Sequence, residues 1–274
     1  MTMMPFIFGP ANHRLFGIFH EAQAPVAGRS VLLCTPFGQE AIRAQRIYRV
    51  LAEHLARGGC DVLRFDFYGT GDSGGDDEAF DLEGAGRDLQ LALDELHRRT
   101  GRARATVVGS RLGGSAAALV AGPLSGQVMR LVVWDPIVAG ADYLQQLRLK
   151  HVETLEDDFE IHDAAWRRTL EQDPSSFTDE AIGFGISPAL RAQLARLDPR
   201  QLPMPAGLDL HIVARADDAS VALWLDALRT AGSPHRFWPI EHDFEWTSPE
   251  ANNTSLVPSA PLKQLKLIIH DRFD

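Results

Sequence analysis

Three stretches of the chain carry side chains able to hold charge or move a proton. The first is Thr106-Val107-Val108-Gly109-Ser110-Arg111-Leu112-Gly113-Gly114, followed at once by Ser115. The second, Leu210-His211-Ile212-Val213-Ala214-Arg215-Ala216-Asp217-Asp218, ends in paired carboxylates, and the third is Glu241-His242-Asp243-Phe244. A hydroxyl, an imidazole and a carboxylate are the parts of nucleophilic catalysis: the carboxylate orients the imidazole, which takes the hydroxyl proton so that the oxygen can attack a carbonyl. Guanidinium cannot be the attacking group, because it stays protonated and offers donors only. A histidine or an aspartate standing alone would read as a solvated loop residue. Their order, carboxylate then imidazole and both after the serine-arginine run, gives the set its weight.

Those stretches need elements to position them. Apolar runs alternate with helical patterns through most of the chain, which predicts βαβ units and a largely parallel sheet. Residues 5–9 and 14–21 read as a short antiparallel pair. Buried strands are expected over 30–36, 62–67, 105–109, 130–134, 208–214 and 235–240. Helices are expected over 41–57, 82–99, 112–120 and 219–230, with a last one over 261–269 covering the sheet edge. Between Gly140 and about Leu208 the strand signal disappears and charged helical segments, 163–170 and 188–197, take over. The expected organisation is therefore one discontinuous core, 1–139 with 208–274, interrupted by a helical cap at 140–207.

The run around Arg111 resembles the nucleophile elbow of α/β-hydrolases, where a buried strand turns sharply into a helix and glycines flank the exposed residue. Sterics fix the register, since side chains two places before and after the apex would collide. With Arg111 at the apex those places hold Gly109 and Gly113; with Ser110 there they would hold Val108 and Leu112, which are too large. Ser115 has small neighbours but lies one turn into the helix and reads as a packing serine. The resemblance extends to Arg64-Phe65-Asp66-Phe67-Tyr68-Gly69-Thr70-Gly71-Asp72-Ser73, a glycine-rich turn after an early core strand, and to Thr35-Pro36-Phe37-Gly38-Gln39-Glu40. It implies oxyanion-hole amides at Phe37 and Leu112, a triad acid at Asp217 with Asp218 as runner-up, and a general base at His242. It narrows to the hydrolases associated with exosortase A systems, on residues 33–41, the Arg64 to Ser73 turn, the arginine-bearing elbow and Leu131 to Gly140. The implied fold is an α/β-hydrolase, a mostly parallel central sheet flanked by helices with a helical cap insertion.

An arginine at the apex excludes covalent acyl-enzyme chemistry there. The N-terminus of a helix already favours an anion, and a cation strengthens that preference. Arg111 is expected either to bind a carboxylate, phosphate or thioester-borne acid of a ligand or to be neutralised internally by Glu40, Asp135 or Asp217. Gln39, Glu40, Ser110 and Asp135 join it as the ligand-facing set. The leading expectation is a binder of an acyl, ester or anionic biosynthetic intermediate. The enzymatic alternative is an esterase, thioesterase or acyltransferase-like protein in which His242, oriented by Asp217, activates water or a substrate hydroxyl. A third is a cap-mediated interaction protein, which a pocket filled by side chains would favour.

Composition bounds these readings. A chain of 274 residues, 45% hydrophobic, buries one sizeable core. Its 37 acidic against 27 basic side chains give a net charge of -10, which repels nucleic acid and anionic membranes. Cys34 and Cys60 read as reduced core residues, and no metal or cofactor is implied. The N-terminus has no signal pattern and no segment approaches a membrane span, so a cytoplasmic protein is expected; assembly into a homo-oligomer is left open.

Overall fold

Val31, Leu32, Leu33, Val62, Leu63, Val132 and Val133 are all fully buried. Continuous apolar runs of this kind are stable only as central strands covered on both faces. The computed structural model describes residues 3–24, 28–157, 164–173, 179–202, 207–241, 246–247 and 257–271. In chain order it contains β1 (Met3–Phe8), β2 (Leu15–His20), β3 (Arg29–Cys34), α1 (Gln39–Arg57), β4 (Cys60–Phe65), α2 (Leu82–Thr100), β5 (Ala105–Ser110), α3 (Arg111–Val120) and β6 (Val128–Trp134). There follow α4 (Gly140–Asp157), α5 (Ala164–Gln172), β7 (Glu180–Ala181), β8 (Phe184–Gly185), α6 (Pro188–Ala195), β9 (Asp209–Ala214), α7 (Ala219–Thr230), β10 (His235–Pro239) and a final helix, here α8 (Ser259–His270).

Eight strands form one sheet in the order β1-β2-β4-β3-β5-β6-β9-β10. β1 pairs antiparallel with β2, and β2 with β4; every other neighbour is parallel. This is the mostly parallel, helix-flanked sheet of an α/β-hydrolase. Registers align the carboxyl ends of the four central strands: Cys34 lies opposite Gly109, Ser110 opposite Trp134, and Trp134 opposite Val213. The crevice outside such strand ends is where open parallel sheets place their sites.

Two apolar layers cover the sheet. One joins Ile47, Tyr48 and Leu51 of α1 to Leu262, Leu265 and Ile268 of α8. The other gathers Leu89 and Leu93 of α2, Ala116 of α3, Leu190 of α6 and Trp224 of α7. The last helix therefore lies on a face, against α1 and β9, and not over the edge strand as expected. Arg130 of β6 fixes it there: fully buried, it donates from Nε to Asp209 Oδ2 at 2.6 Å and from Nη1 to the Ile268 carbonyl.

Local signals set the helix ends. Asp81 caps α2, accepting from the Gly84 N–H at 2.7 Å, and Gly101 closes it in the left-handed region. α1 begins two residues earlier than its apolar spacing suggested, with Gly38 (φ +62) as N-cap, which brings Glu40 into the first turn. The segment expected to be helical, 140–207, holds α4, α5 and α6, together with the very short β7-β8 pair that periodicity does not announce. Cys34 and Cys60 are free and buried.

β2 also carries a buried titratable group. His20 is 1% exposed; burial first, and the neighbouring Arg64 second, lower its pKa to about 4. Its Nε2 accepts from Arg64 Nε at 3.2 Å, so the neutral ring is the folded form. A folded-state pKa below the unfolded value means that the unfolded chain binds more protons between pH 6.5 and 4. Stability is expected to fall by roughly 3 kcal/mol across that window and to do so less in His20→Gln, read from urea midpoints at each pH.

Candidate functional site

The site is built where β5 turns into α3. Arg111 opens the helix with φ +50, a conformation that non-glycine residues seldom adopt. A Cβ on Gly113 would stand 2.2 Å from the Thr35 carbonyl oxygen, and one on Gly109 would stand 2.7 Å from Gly114 Cα. Both glycines are thus required by close backbone approach: α3 is pressed against the strand before it and against the end of β3. That contact brings the first turn of α1 over the start of α3.

The result is a buried ion pair. Arg111 donates to Glu40 Oε1 from Nε at 3.0 Å and from Nη2 at 2.9 Å, and from Nη1 to the Asp135 carbonyl at 3.3 Å. The Glu40 side chain is 1% exposed and that of Arg111 15%. Tyr143 and Trp246 flank the guanidinium, with ring centroids 5.6 and 5.8 Å from Cζ. Burial opposes the charge on Arg111, but Glu40 outweighs it and holds the guanidinium above its ordinary pKa. Burial, reinforced by Glu40, pushes the Tyr143 phenol far up, so it remains a neutral hydroxyl. Asp135, after β6, also has positive φ (+44), and its Oδ2 accepts from Trp246 Nε1 at 3.0 Å.

A cavity of about 210 Å³ opens beside this pair. α4 contributes Tyr143, Leu147 and Lys150, the strand ends contribute Asp135, Arg215 and Asp218, and Trp246 closes one wall. Among the described residues its charged lining is balanced, with Arg111, Lys150 and Arg215 against Glu40, Asp135 and Asp218. Lys150 is further paired with Glu153 at 2.9 Å. Among the described residues no cluster of His, Cys, Asp or Glu could hold a metal ion.

The structure brings Arg111, Glu40 and Asp135 together and separates them from other expected members. Ser110 Oγ lies 2.8 Å from the Tyr48 hydroxyl, which itself donates to the Cys34 carbonyl at 2.9 Å; Ser110 is therefore the donor, fully buried away from the cavity. Ser115 donates to the Ile137 carbonyl at 2.5 Å and packs α3, as its place in the helix suggested. Phe37 is buried with its ring stacked on Phe80 at 4.6 Å, and Leu112 is fully buried, which leaves only their backbone N–H groups for any part in the crevice. Gln39 is half-buried and does not line the cavity.

Asp217 is turned outward, its side chain 70% exposed and held at both oxygens by Arg215 at 3.0 and 2.9 Å. Asp218 lines the cavity instead, while its Oδ1 caps α7 by accepting from the N–H groups of Ser220 and Val221. His242 lies outside the described residues. Sequence reasoning missed Tyr143 and Trp246. The available signal was the position of Tyr143 just after the Trp134-Asp135 turn; Trp246 had none.

Comparison with known proteins agrees with this architecture. Residues 37–196, more than half of the chain, match the family described as "Serine aminopeptidase, S33". The chain belongs to that family of α/β-hydrolases. No curated protein sequence matches it. Est1E from Butyrivibrio proteoclasticus, solved with ferulic acid bound, is 13% identical with a TM-score of 0.68, over 96% of this chain and 98% of the other. A soluble variant of the monoglyceride lipase of Saccharomyces cerevisiae, in complex with a substrate analog, is 15% identical with a TM-score of 0.62, over 98% and 96%. The bottromycin epimerase BotH, in complex with bottromycin A2, is 19% identical with a TM-score of 0.56, over 92% and 95%. At these identities the likeness is one of fold.

Three variants test the geometry. Gly113→Ala is expected to lower stability by about 3 kcal/mol or more, because backbone on both sides must move. Glu40→Ala leaves a buried guanidinium without its carboxylate and is expected to cost about 3–5 kcal/mol, whereas Arg111→Met combined with Glu40→Leu recovers most of that loss. Urea unfolding of the three variants against the parent chain checks both.

Proposed function

We propose that Arg111 occupies the place at which this family presents its serine, and that the chain binds a short acyl or ester group without forming an acyl-enzyme. The observation that carries this reading is the Arg111–Glu40 pair itself. A permanently charged donor stands at the strand-to-helix apex, and Ser110, the adjacent hydroxyl, is bonded away from the crevice. Of the five guanidinium N–H groups, three are spent on Glu40 and the Asp135 carbonyl, which leaves two for a ligand oxygen.

The balanced charge of the cavity supports a carbonyl acceptor over a strongly charged anion. Its volume of about 210 Å³ lies below that of pockets for drug-sized ligands and suits one end of a molecule. The resemblance to exosortase-associated hydrolases supports a role in a biosynthetic system. Fold relatives that hold ferulic acid or a lipase substrate analog support an acyl-type ligand, and the epimerase among them supports departure from hydrolysis on this fold.

The enzymatic reading, with His242 oriented by Asp217, is weakened by the exposure of Asp217 and by its two-point bond to Arg215. Short acyl thioesters of N-acetylcysteamine test the choice, followed by the fluorescence of Trp246 beside the guanidinium. Expected are saturable quenching, no turnover, no fluorophosphonate adduct, and about tenfold weaker binding in the Arg111→Met, Glu40→Leu double variant. Turnover abolished by His242→Ala, or a covalent adduct on Ser110 or Ser115 with activity lost in step, overturns the proposal.

A further inference from the structure

The helix α1 carries an outer flank that the core does not use. Ile42, Gln45, Arg46 and Arg49 recur at three- and four-residue spacing, stack on one side and are all exposed. Ile47, Tyr48 and Leu51 face the sheet instead. Beside the outer flank lies a cavity of about 350 Å³, with Phe16 and Ile18 of β2 and Arg64 of β4 on its other side. It shares no lining residue with the Arg111 cavity.

Three guanidinium groups line it, against two carboxylates. Among the described residues Arg46 has no ion-pair or hydrogen-bond partner, and Arg49 reaches only Glu53, at 3.9 Å. Arg64 is half-buried, and among the described residues its guanidinium donates to the neutral ring of His20. Burial, the largest influence, works against its charge, with Asp66 opposing. The two carboxylates are those of Asp66 and Asp72. Asp66 accepts from the Asp72 N–H at 3.1 Å and is itself pushed up by burial, and Asp72 is exposed. On a chain of net charge -10, a concavity with more guanidinium than carboxylate is a local reversal of sign.

We propose that this cavity binds a small amphiphilic anion, its phosphate or carboxylate among Arg46, Arg49 and Arg64 and its apolar body against Phe16, Ile18 and Ile42. Arginine suits either head group because its planar fork can donate two parallel bonds. The apolar wall adds affinity that a bare inorganic anion cannot collect. The proposal is independent of what the Arg111 cavity binds.

Calorimetric titration with hexyl phosphate, hexanoate, inorganic phosphate and the neutral hexyl glucoside tests it. Expected is saturable binding of one or both hexyl anions, tighter than inorganic phosphate and weakened between about 50 and 200 mM salt. The preferred head group separates a phosphate from a carboxylate ligand. Arg46→Ala combined with Arg49→Ala, both at exposed positions, is expected to weaken binding about tenfold with an unchanged thermal midpoint. Arg64→Gln, which keeps a donor for His20, is expected to act in the same direction. No saturable binding of either anion at about 1 mM overturns the proposal, as does equal binding of hexyl glucoside or unchanged affinity in the Arg46→Ala, Arg49→Ala variant.

Discussion

A guanidinium and a carboxylate removed from water hold the site in its present form. Arg111 belongs to the β5-α3 turn and Glu40 to the first turn of α1, so their bond joins the ends of two neighbouring strands, β3 and β5, through the helices that follow them. Neither charge could be left alone at that depth, where desolvation of one ion costs several kcal/mol. The pair is thus a mutual requirement. It also consumes the charge that would otherwise draw in an anion, which is why the cavity beside it offers hydrogen bonds more than net attraction.

That pair depends in turn on a backbone contact. The approach of Gly113 to the Thr35 carbonyl sets how near α3 lies to the end of β3, and no residue with a Cβ fits there. The early start of α1 follows from the same geometry: Gly38 turns with φ +62, and Glu40 enters a helical first turn, where the unpaired N–H groups favour a carboxylate. Arg111 and Asp135, both held at positive φ at the ends of adjacent strands, sit on either side of this arrangement. Strained backbone kept at two such positions is the pattern expected of a place where side-chain direction is constrained by use.

Much of this was legible in the sequence, and what was not has identifiable causes. The buried strands and α7 follow from apolar runs and caps that act locally, and the identity of the apex residue follows from the size of its neighbours at 109 and 113. The partner of Arg111 was narrowed to three acids and no further, because choosing among Glu40, Asp135 and Asp217 needs the distance between strand ends. Asp217 and Asp218 are adjacent and chemically alike; a bond to Arg215 turned one outward, and a capping role at α7 kept the other at the crevice. The α4 pattern is weak because that helix packs on α6 and borders the cavity without lying on the sheet. Tyr143 and Trp246 are about a hundred residues apart in sequence and meet only around the guanidinium, a contact that no local period encodes.

The two arginine environments show why position decides what the same side chain can do. Arg111 is enclosed and bonded to Glu40, so its remaining donors are few and their directions are set. Arg46, Arg49 and Arg64 line a more open concavity in which guanidinium groups outnumber the carboxylates Asp66 and Asp72, so there a net positive charge remains. An interior guanidinium paired with a carboxylate contributes shape and specificity; a cluster in excess over its carboxylates contributes field. The first kind occupies the turn between β5 and α3, where its bonds to Glu40 and to the Asp135 carbonyl fix the direction of the donors that remain.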